Sequence, residues 1–199
     1  MDFEYKLNHI LFEDTQDELR PKSAESKPKL ADLLRSGISF VVVGARAVNV
    51  YTDRPRNTLD IDILTDDYEQ LADWIHKEFP HLKKKITDVV IRFLSDNESV
   101  LDIMIPNDKV FRAALRDTKQ IGGYKVASPE ALLAMKFHGI TSSHRKLRRK
   151  MQDRVDIANI LACTKVDLNK TAGYLKGSIP RAEATFKAFI VKLKEDFEL

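Results

Sequence analysis

An α/β (α+β) fold is what this sequence predicts: a mixed β-sheet flanked by helices, followed by a C-terminal helical bundle. Two observations carry that expectation. Short runs of β-branched and aromatic residues recur between Ile38 and Val126, with helical segments between them. From Ser128 onward the apolar residues recur only at helical spacing. The division therefore falls near residue 127, with an α/β domain over 1–127 and a helical domain over 128–199.

The elements follow in order. Pro21 to Pro28 is a polar stretch, and Lys29 to Leu34 has helical spacing that ends at Gly37. Ile38 to Val43, a β-branched and aromatic run apart from Ser39 and bounded by glycines, reads as a buried strand. A short helix leaves it over Ala45 to Tyr51. Leu59 to Leu64 is the next strand, and Tyr68 to Phe79 an amphipathic helix stopped by Pro80. Lys85 to Leu94 and Ser99 to Ile105 read as two strands joined at the turn-favouring Asp96-Asn97 pair. Ile121 to Val126 reads as a hairpin or a small strand. Ser128 caps a helix with Pro129 at its first position. Helices are expected over Pro129–His138, Arg145–Cys163, Leu168–Leu175 and Arg181–Phe197, which leaves His138 at the border of a loop.

With 199 residues the chain can bury a real core. Its 43% apolar and 32% charged content describes an ordinary soluble globular protein and excludes neither an enzyme nor a binder. A net charge of +3 gives no support to a general nucleic-acid coat. The charge is local: His144 to Arg154 holds Arg145, Lys146, Arg148, Arg149, Lys150 and Arg154 against Asp153 alone. That segment reads either as a solvated helix face or as a phosphate track. The one cysteine, Cys163, lies in an apolar stretch and reads as buried filler. No leader peptide and no membrane-spanning run is visible, so a cytoplasmic chain without membrane contact is expected.

The chemistry is carried by acids. Asp60 and Asp62 flank one apolar residue inside an apolar run, so both point to the same face of a strand. Asp102, in a similar run, can sit beside them on a neighbouring strand. Carboxylates gathered in this way resist burial unless a divalent cation neutralises them. Ahead of them Gly44 forms a turn after a strand, where backbone N–H groups can meet a phosphate. This ordered set points to metal-dependent phosphoryl or nucleotidyl transfer.

Gly44-Ala45, Asp60-Ile61-Asp62 and Asp102 resemble the signature of the DNA polymerase β-like nucleotidyltransferase superfamily. More narrowly, Val43-Gly44-Ala45-Arg46-Ala47 followed by Arg56-Asn57-Thr58-Leu59-Asp60-Ile61-Asp62 resembles the small members, including the AbiEii-type toxins. Ser128 to Lys136 and Gln152 to Ile157 are similar to the helical segments of that group, so the resemblance spans roughly residues 30 to 162. It implies that Asp60, Asp62 and Asp102 are catalytic and hold Mg²⁺, with Mn²⁺ as the alternative ion. Asp102 would also act as, or orient, the base for the attacking hydroxyl. Gly44 and the N–H of Ala45 would cradle the triphosphate, with Arg56 and Thr58 beside the acids. Lys136 would contact the triphosphate from the helical half, where Asp153 and Asp156 also face the cleft. The substrates implied are a nucleoside triphosphate and a hydroxyl acceptor: tRNA or other RNA, a protein or a small molecule. A toxin-like role with an antitoxin partner belongs to the narrower resemblance.

Other readings stand beside this one. Ala45 replaces the usual Gly or Ser of the turn, which leaves open a catalytically silent nucleotide-binding module with the same fold. A phosphohydrolase using the same acids is weaker, because no His lies near these motifs. His76, His81, His138 and His144 lack metal-ligand spacing. Trp74 and the Phe186, Phe189, Ile190 stripe read as core.

Overall fold

A computed structural model describes residues 27–199. The N-terminus on which the leader-peptide expectation rests, and most of the Pro21–Pro28 stretch, lie outside the described residues. The described elements are α1 (Leu30–Leu34), β1 (Val41–Val42), α2 (Gly44–Val50), β2 (Ile61–Leu64), α3 (Tyr68–Glu78), β3 (Lys83–Ile86), β4 (Val90–Ser95) and β5 (Glu98–Met104). They continue with α4 (Lys109–Arg116), β6 (Thr118–Ile121), β7 (Tyr124–Ala127), α5 (Pro129–Thr141), α6 (Leu147–Cys163), α7 (Leu168–Leu175) and α8 (Ala182–Phe197). No helix among the described residues is long and apolar enough to cross a membrane.

The seven strands form one mixed sheet in the order β3-β4-β5-β2-β1-β7-β6. The β2–β5 and β1–β7 pairs are parallel, and the other four are antiparallel. Strand alternation gives the sheet two unlike faces. On one face Ile61, Ile63, Leu101, Ile103, Ile91 and Phe93 are fully buried, and Leu71, Ala72 and Ile75 of α3 belong to the same apolar cluster. The other face carries Asp62 and Asp102. The cluster continues into α5 to α8 through Phe137, Ile157, Leu175 and Phe186, so one core serves both halves of the chain. Burial of such side chains, at roughly 1.5–3 kcal/mol each, is what holds the helices on the sheet.

Several elements differ from the sequence expectation. The run from Lys85 to Leu94 is not one strand. Thr87 Oγ1 accepts the N–H of Val90 at 3.2 Å, and the turn it closes separates β3 from β4. Only Val41–Val42 of the apolar run Ile38 to Val43 is strand-paired, because Gly44 opens α2 directly after Val43. Helix α4, capped by Asp108 accepting from Val110 N, was not anticipated. His138 lies inside α5, one turn before its end, and not at the border of a loop. Cys163 is exposed and not buried: it ends α6 at the surface, where its Sγ–H donates to Asp53 Oδ1 at 3.1 Å. Trp74 and Phe189 are partly buried against the core, and Phe186 and Ile190 are buried.

One irregularity places the site. Asp96 and Asn97 adopt positive φ in the β4–β5 turn, as a tight two-residue hairpin requires. Pairing runs Ser95↔Glu98 and Leu94↔Ser99, then shifts to Phe93↔Leu101 and Arg92↔Asp102. Val100 is therefore the extra residue of a β-bulge. Ser99 and Asp102, three apart, would face opposite ways on a regular strand; the bulge turns both to the acid-bearing face.

Candidate functional site

Asp62 and Asp102 are register partners on the parallel strands β2 and β5. Asp60 precedes β2, two residues before Asp62 and on its side of the strand. Its carboxylate accepts from the Thr58 hydroxyl through Oδ1, and its carbonyl accepts from Arg46 Nε at 3.3 Å. Thr58 and Arg46 thereby fix the approach to β2. Arg46 had no role in the sequence reading, since only the fold brings α2 against Asp60.

Gly44 lies directly over this strand. Its φ is +65°, and a Cβ built there would stand 1.9 Å from Asp62 Oδ2. Glycine is required at this position twice over, by the backbone conformation and by the neighbouring carboxylate. Ala45 follows, buried within α2.

Asp62 is the exceptional acid. Among the described residues nothing hydrogen-bonds its carboxylate. Burial pushes its pKa up to about 7, the charges of Asp60 and Asp102 add to the rise, and Lys136 and Arg149 oppose it. It is a partly buried carboxylate beside two like charges, without a neutralising partner.

Asp102 is in the opposite condition. Arg92, its register partner on β4, donates from Nε to Oδ1 at 2.8 Å and also bonds Oδ2 through Nη2, while Ser99 Oγ donates to Oδ1 at 2.6 Å. Arg92 went unnoticed in the sequence, because its meaning depends on the bulged register.

Arg56 and Lys136 are engaged elsewhere. Arg56 donates from Nε and Nη2 to the two carboxylate oxygens of Asp156, at 3.1 and 3.4 Å. Lys136 Nζ bonds Asp153 Oδ1 at 3.0 Å and Asp156 Oδ2 at 2.6 Å. Arg145 Nε completes Asp153, and Gln152 Nε2 donates to Asp156 Oδ1 at 3.0 Å. Burial alone would raise Asp156, but Lys136 and then Arg56 hold its carboxyl below the usual carboxylate range. This network ties α5 and α6 to the loop before β2, and so sets the helices against the acids. Of the basic segment at the start of α6, Arg149 is exposed and its charge reaches Asp62.

Asp60 and Asp62 fit a divalent cation: they are hard oxygen donors on one face, and the Asp62 carboxylate has no direct hydrogen-bond or ion-pair partner among the described residues, Lys136 and Arg149 acting on it only from a distance. Asp102, expected as the third ligand, is held by Arg92 and Ser99. Among the described residues no group of three metal-ligating side chains converges.

No family model matches the chain, and no curated protein matches its sequence. Solved structures do match. An antigenic nucleotidyltransferase-like protein from Paracoccidioides brasiliensis superposes with a TM-score of 0.54 over 98% of this chain and 91% of that one, at 17% identity. The fold is nucleotidyltransferase-like. The Megavirus polyadenylate synthase (TM-score 0.45, 15% identity, 89% of this chain, 43% of that chain) overlaps less well. So does the ANT(2″)-Ia protein in its complex with adenylyl-2″-tobramycin (TM-score 0.47, 13% identity, 81% and 96%). At these identities the likeness bears on the fold alone.

Proposed function

We propose that this chain is a metal-dependent nucleotidyltransferase, which moves a nucleoside monophosphate from a nucleoside triphosphate to a hydroxyl acceptor. The observation that carries the reading is the Asp62 carboxyl group, unpaired among the described residues and set between Asp60 and Asp102 beneath Gly44, in a nucleotidyltransferase-like fold. In the reaction the acceptor oxygen bonds to the α-phosphorus as the bond to pyrophosphate breaks, and the hydroxyl proton leaves to solvent.

Asp60 and Asp62 would hold Mg²⁺, or Mn²⁺, which when bound supplies positive charge at the transferring phosphoryl group. Thr58 and Arg46 keep Asp60 aimed at that position. The turn at Gly44 and Ala45 offers backbone room for phosphate oxygens. Arg149, with Lys136 behind it, supplies the cationic wall on the helical side, where a triphosphate's charge is best met. Arg92 and Ser99 orient Asp102, which acts on the acceptor electrostatically and not as a free base. The motif resemblance adds a toxin-like role opposed by an antitoxin, and a tRNA, protein or small-molecule acceptor, to the proposal.

A second reading, a catalytically silent nucleotide-binding module, is favoured by one observation: Arg92 and Ser99 already fill the oxygens of Asp102. Incubation of the chain with each labelled triphosphate, Mg²⁺ and RNA, protein or aminoglycoside acceptors separates the two. Label transfer that disappears in Asp62→Asn supports the enzyme; triphosphate binding with no transfer to any acceptor supports the silent module.

A further inference from the structure

The charge on the acid-bearing face does not end at Arg92. Lys85 on the edge strand β3 is the register partner of Arg92, which is the partner of Asp102, which is the partner of Asp62. Four strands thus carry one straight row, Lys85–Arg92–Asp102–Asp62, on one face. With neighbouring strands ~4.8 Å apart, Lys85 stands about 14 Å from Asp62 along that row. Lys83, two residues earlier, faces the same way. Lys84 faces the other side, where its Nζ pairs with Asp73 of α3 at 3.2 Å. The alternation therefore separates one lysine with a structural partner from two without. Lys83 and Lys85 are exposed, and neither has an acidic partner among the described residues. Arg92 uses Nε and Nη2 on Asp102 and is 42% exposed, and Nη1 makes no hydrogen bond among the described residues.

The row also has a direction. The cations that act on Asp62 from the helical side are Lys136 and Arg149, whereas Arg92 and Lys85 lie on the other side, beyond Asp102. A polyanion lying along the β3–β4 side would reach Asp102 first and bring its end toward Asp62.

We propose that Lys83, Lys85 and Arg92 form the path for a single-stranded nucleic-acid acceptor, whose phosphates follow the β3–β4 edge and whose terminal hydroxyl reaches Asp102. This rests on the nucleotidyl-transfer reading and names the acceptor class of that same site. Lysines on an edge strand also guard against edge-to-edge pairing, but a guard needs no alignment with the acids and binds no oligonucleotide.

The test measures fluorescence anisotropy of the full chain with a labelled 12-nucleotide oligoadenylate, without triphosphate, across 50–200 mM salt. A deoxy version of the same oligonucleotide forms a second arm. Lys83→Ala/Lys85→Ala is compared with wild type and with Lys187→Ala/Lys192→Ala on α8. Loss of two phosphate contacts lowers the slope of log K against log salt by about 1.4, and weakens binding roughly tenfold or more at the lowest salt. Affinity within twofold of wild type, an equal loss in the α8 pair, or no binding by wild type overturns the proposal. Equal binding of both arms sets the path as a reader of phosphates; stronger ribo binding sets it as a reader of RNA. Both outcomes support it. A chain that binds triphosphate but not the oligonucleotide sinks the path and leaves the transfer reading standing. If the chain binds the oligonucleotide through these lysines yet moves no label onto it, the acceptor role is overturned.

Discussion

Lys136→Met removes the amine shared by Asp153 and Asp156 and keeps the apolar stem. Both acids are 1% exposed and the lysine 11%. Breaking a buried ion pair by removal of one member costs about 3–5 kcal/mol, because a charge remains behind. Here Arg56 and Gln152 still serve Asp156, and Arg145 still serves Asp153. The loss therefore falls near the low end, about 3 kcal/mol, or ~6–12 °C in Tm for a chain of this size.

The pH dependence gives the sharper test. In the wild type Asp156 titrates below its ordinary value, so its ionic contribution is present above about pH 4 and is lost only as pH falls through that depressed pKa. Without Lys136, burial outweighs what remains and raises the carboxyl above its ordinary value. The variant then regains stability relative to wild type as pH falls from 8 to 5 and the stranded acid takes up a proton. Urea unfolding at pH 8 and pH 5 reads this directly. Equal midpoints at pH 8, or a deficit of the same size at both pH values, would refute the reasoning.

Three further outcomes are expected. Gly44→Ala combines a left-handed backbone, at about 1–2 kcal/mol, with a Cβ thrust onto Asp62; a thermal scan showing no loss of Tm counts against that packing. Asp62→Asn should stabilise the protein at pH 8 on the order of a few kcal/mol. A carboxyl raised to about 7 disfavours folding increasingly as pH climbs from about 4 to 7, and the amide escapes that penalty. The gain should vanish near pH 4, and Mg²⁺ should raise the Tm of wild type at pH 8 but not of the variant; a constant gain, or an equal Mg²⁺ response, speaks against it. Arg92→Met leaves Asp102 with Ser99 alone and should cost about 2 kcal/mol in chemical denaturation, below the roughly 3–5 kcal/mol of a fully buried pair because Arg92 is 42% exposed. Arg92→Lys should restore only part of this, because an ammonium cannot span both oxygens; full restoration contradicts the forked contact.

How much of this was legible depended on the kind of signal each residue carries. The alternation Leu59 to Leu64 displayed two acids on one side of a strand, although pairing starts only at Ile61, and Asp96-Asn97 displayed the β4–β5 hairpin, because both depend on neighbours in sequence. The three lysines of β3 hid where that strand begins, so that it merged with β4 in the reading Lys85 to Leu94: their β-propensity is low, and an edge strand needs a partner on one side only. Cys163 misled because its apolar neighbours Ile160 and Leu161 face the core from an α6 whose last turn points it outward. Arg56 and Lys136 could be matched to a motif, yet their partner Asp156 lies 100 and 20 residues away. Arg92 was beyond reach for a definite reason. Counting outward from the turn places it opposite Leu101, and only the extra residue Val100 puts it opposite Asp102.

That extra residue has a mechanical consequence. Below the bulge, β4 and β5 are locked in phase with β2, where the Asp62–Asp102 register is held; above it, the short Ser95–Glu98 tip follows its own phase. Ser99 belongs to the tip side of Val100, yet its hydroxyl donates to Asp102 Oδ1 at 2.6 Å. The tip is thus tied to the acid row by a single hydroxyl, and a peptide spliced at Asp96-Asn97 is felt at Asp102 through Ser99.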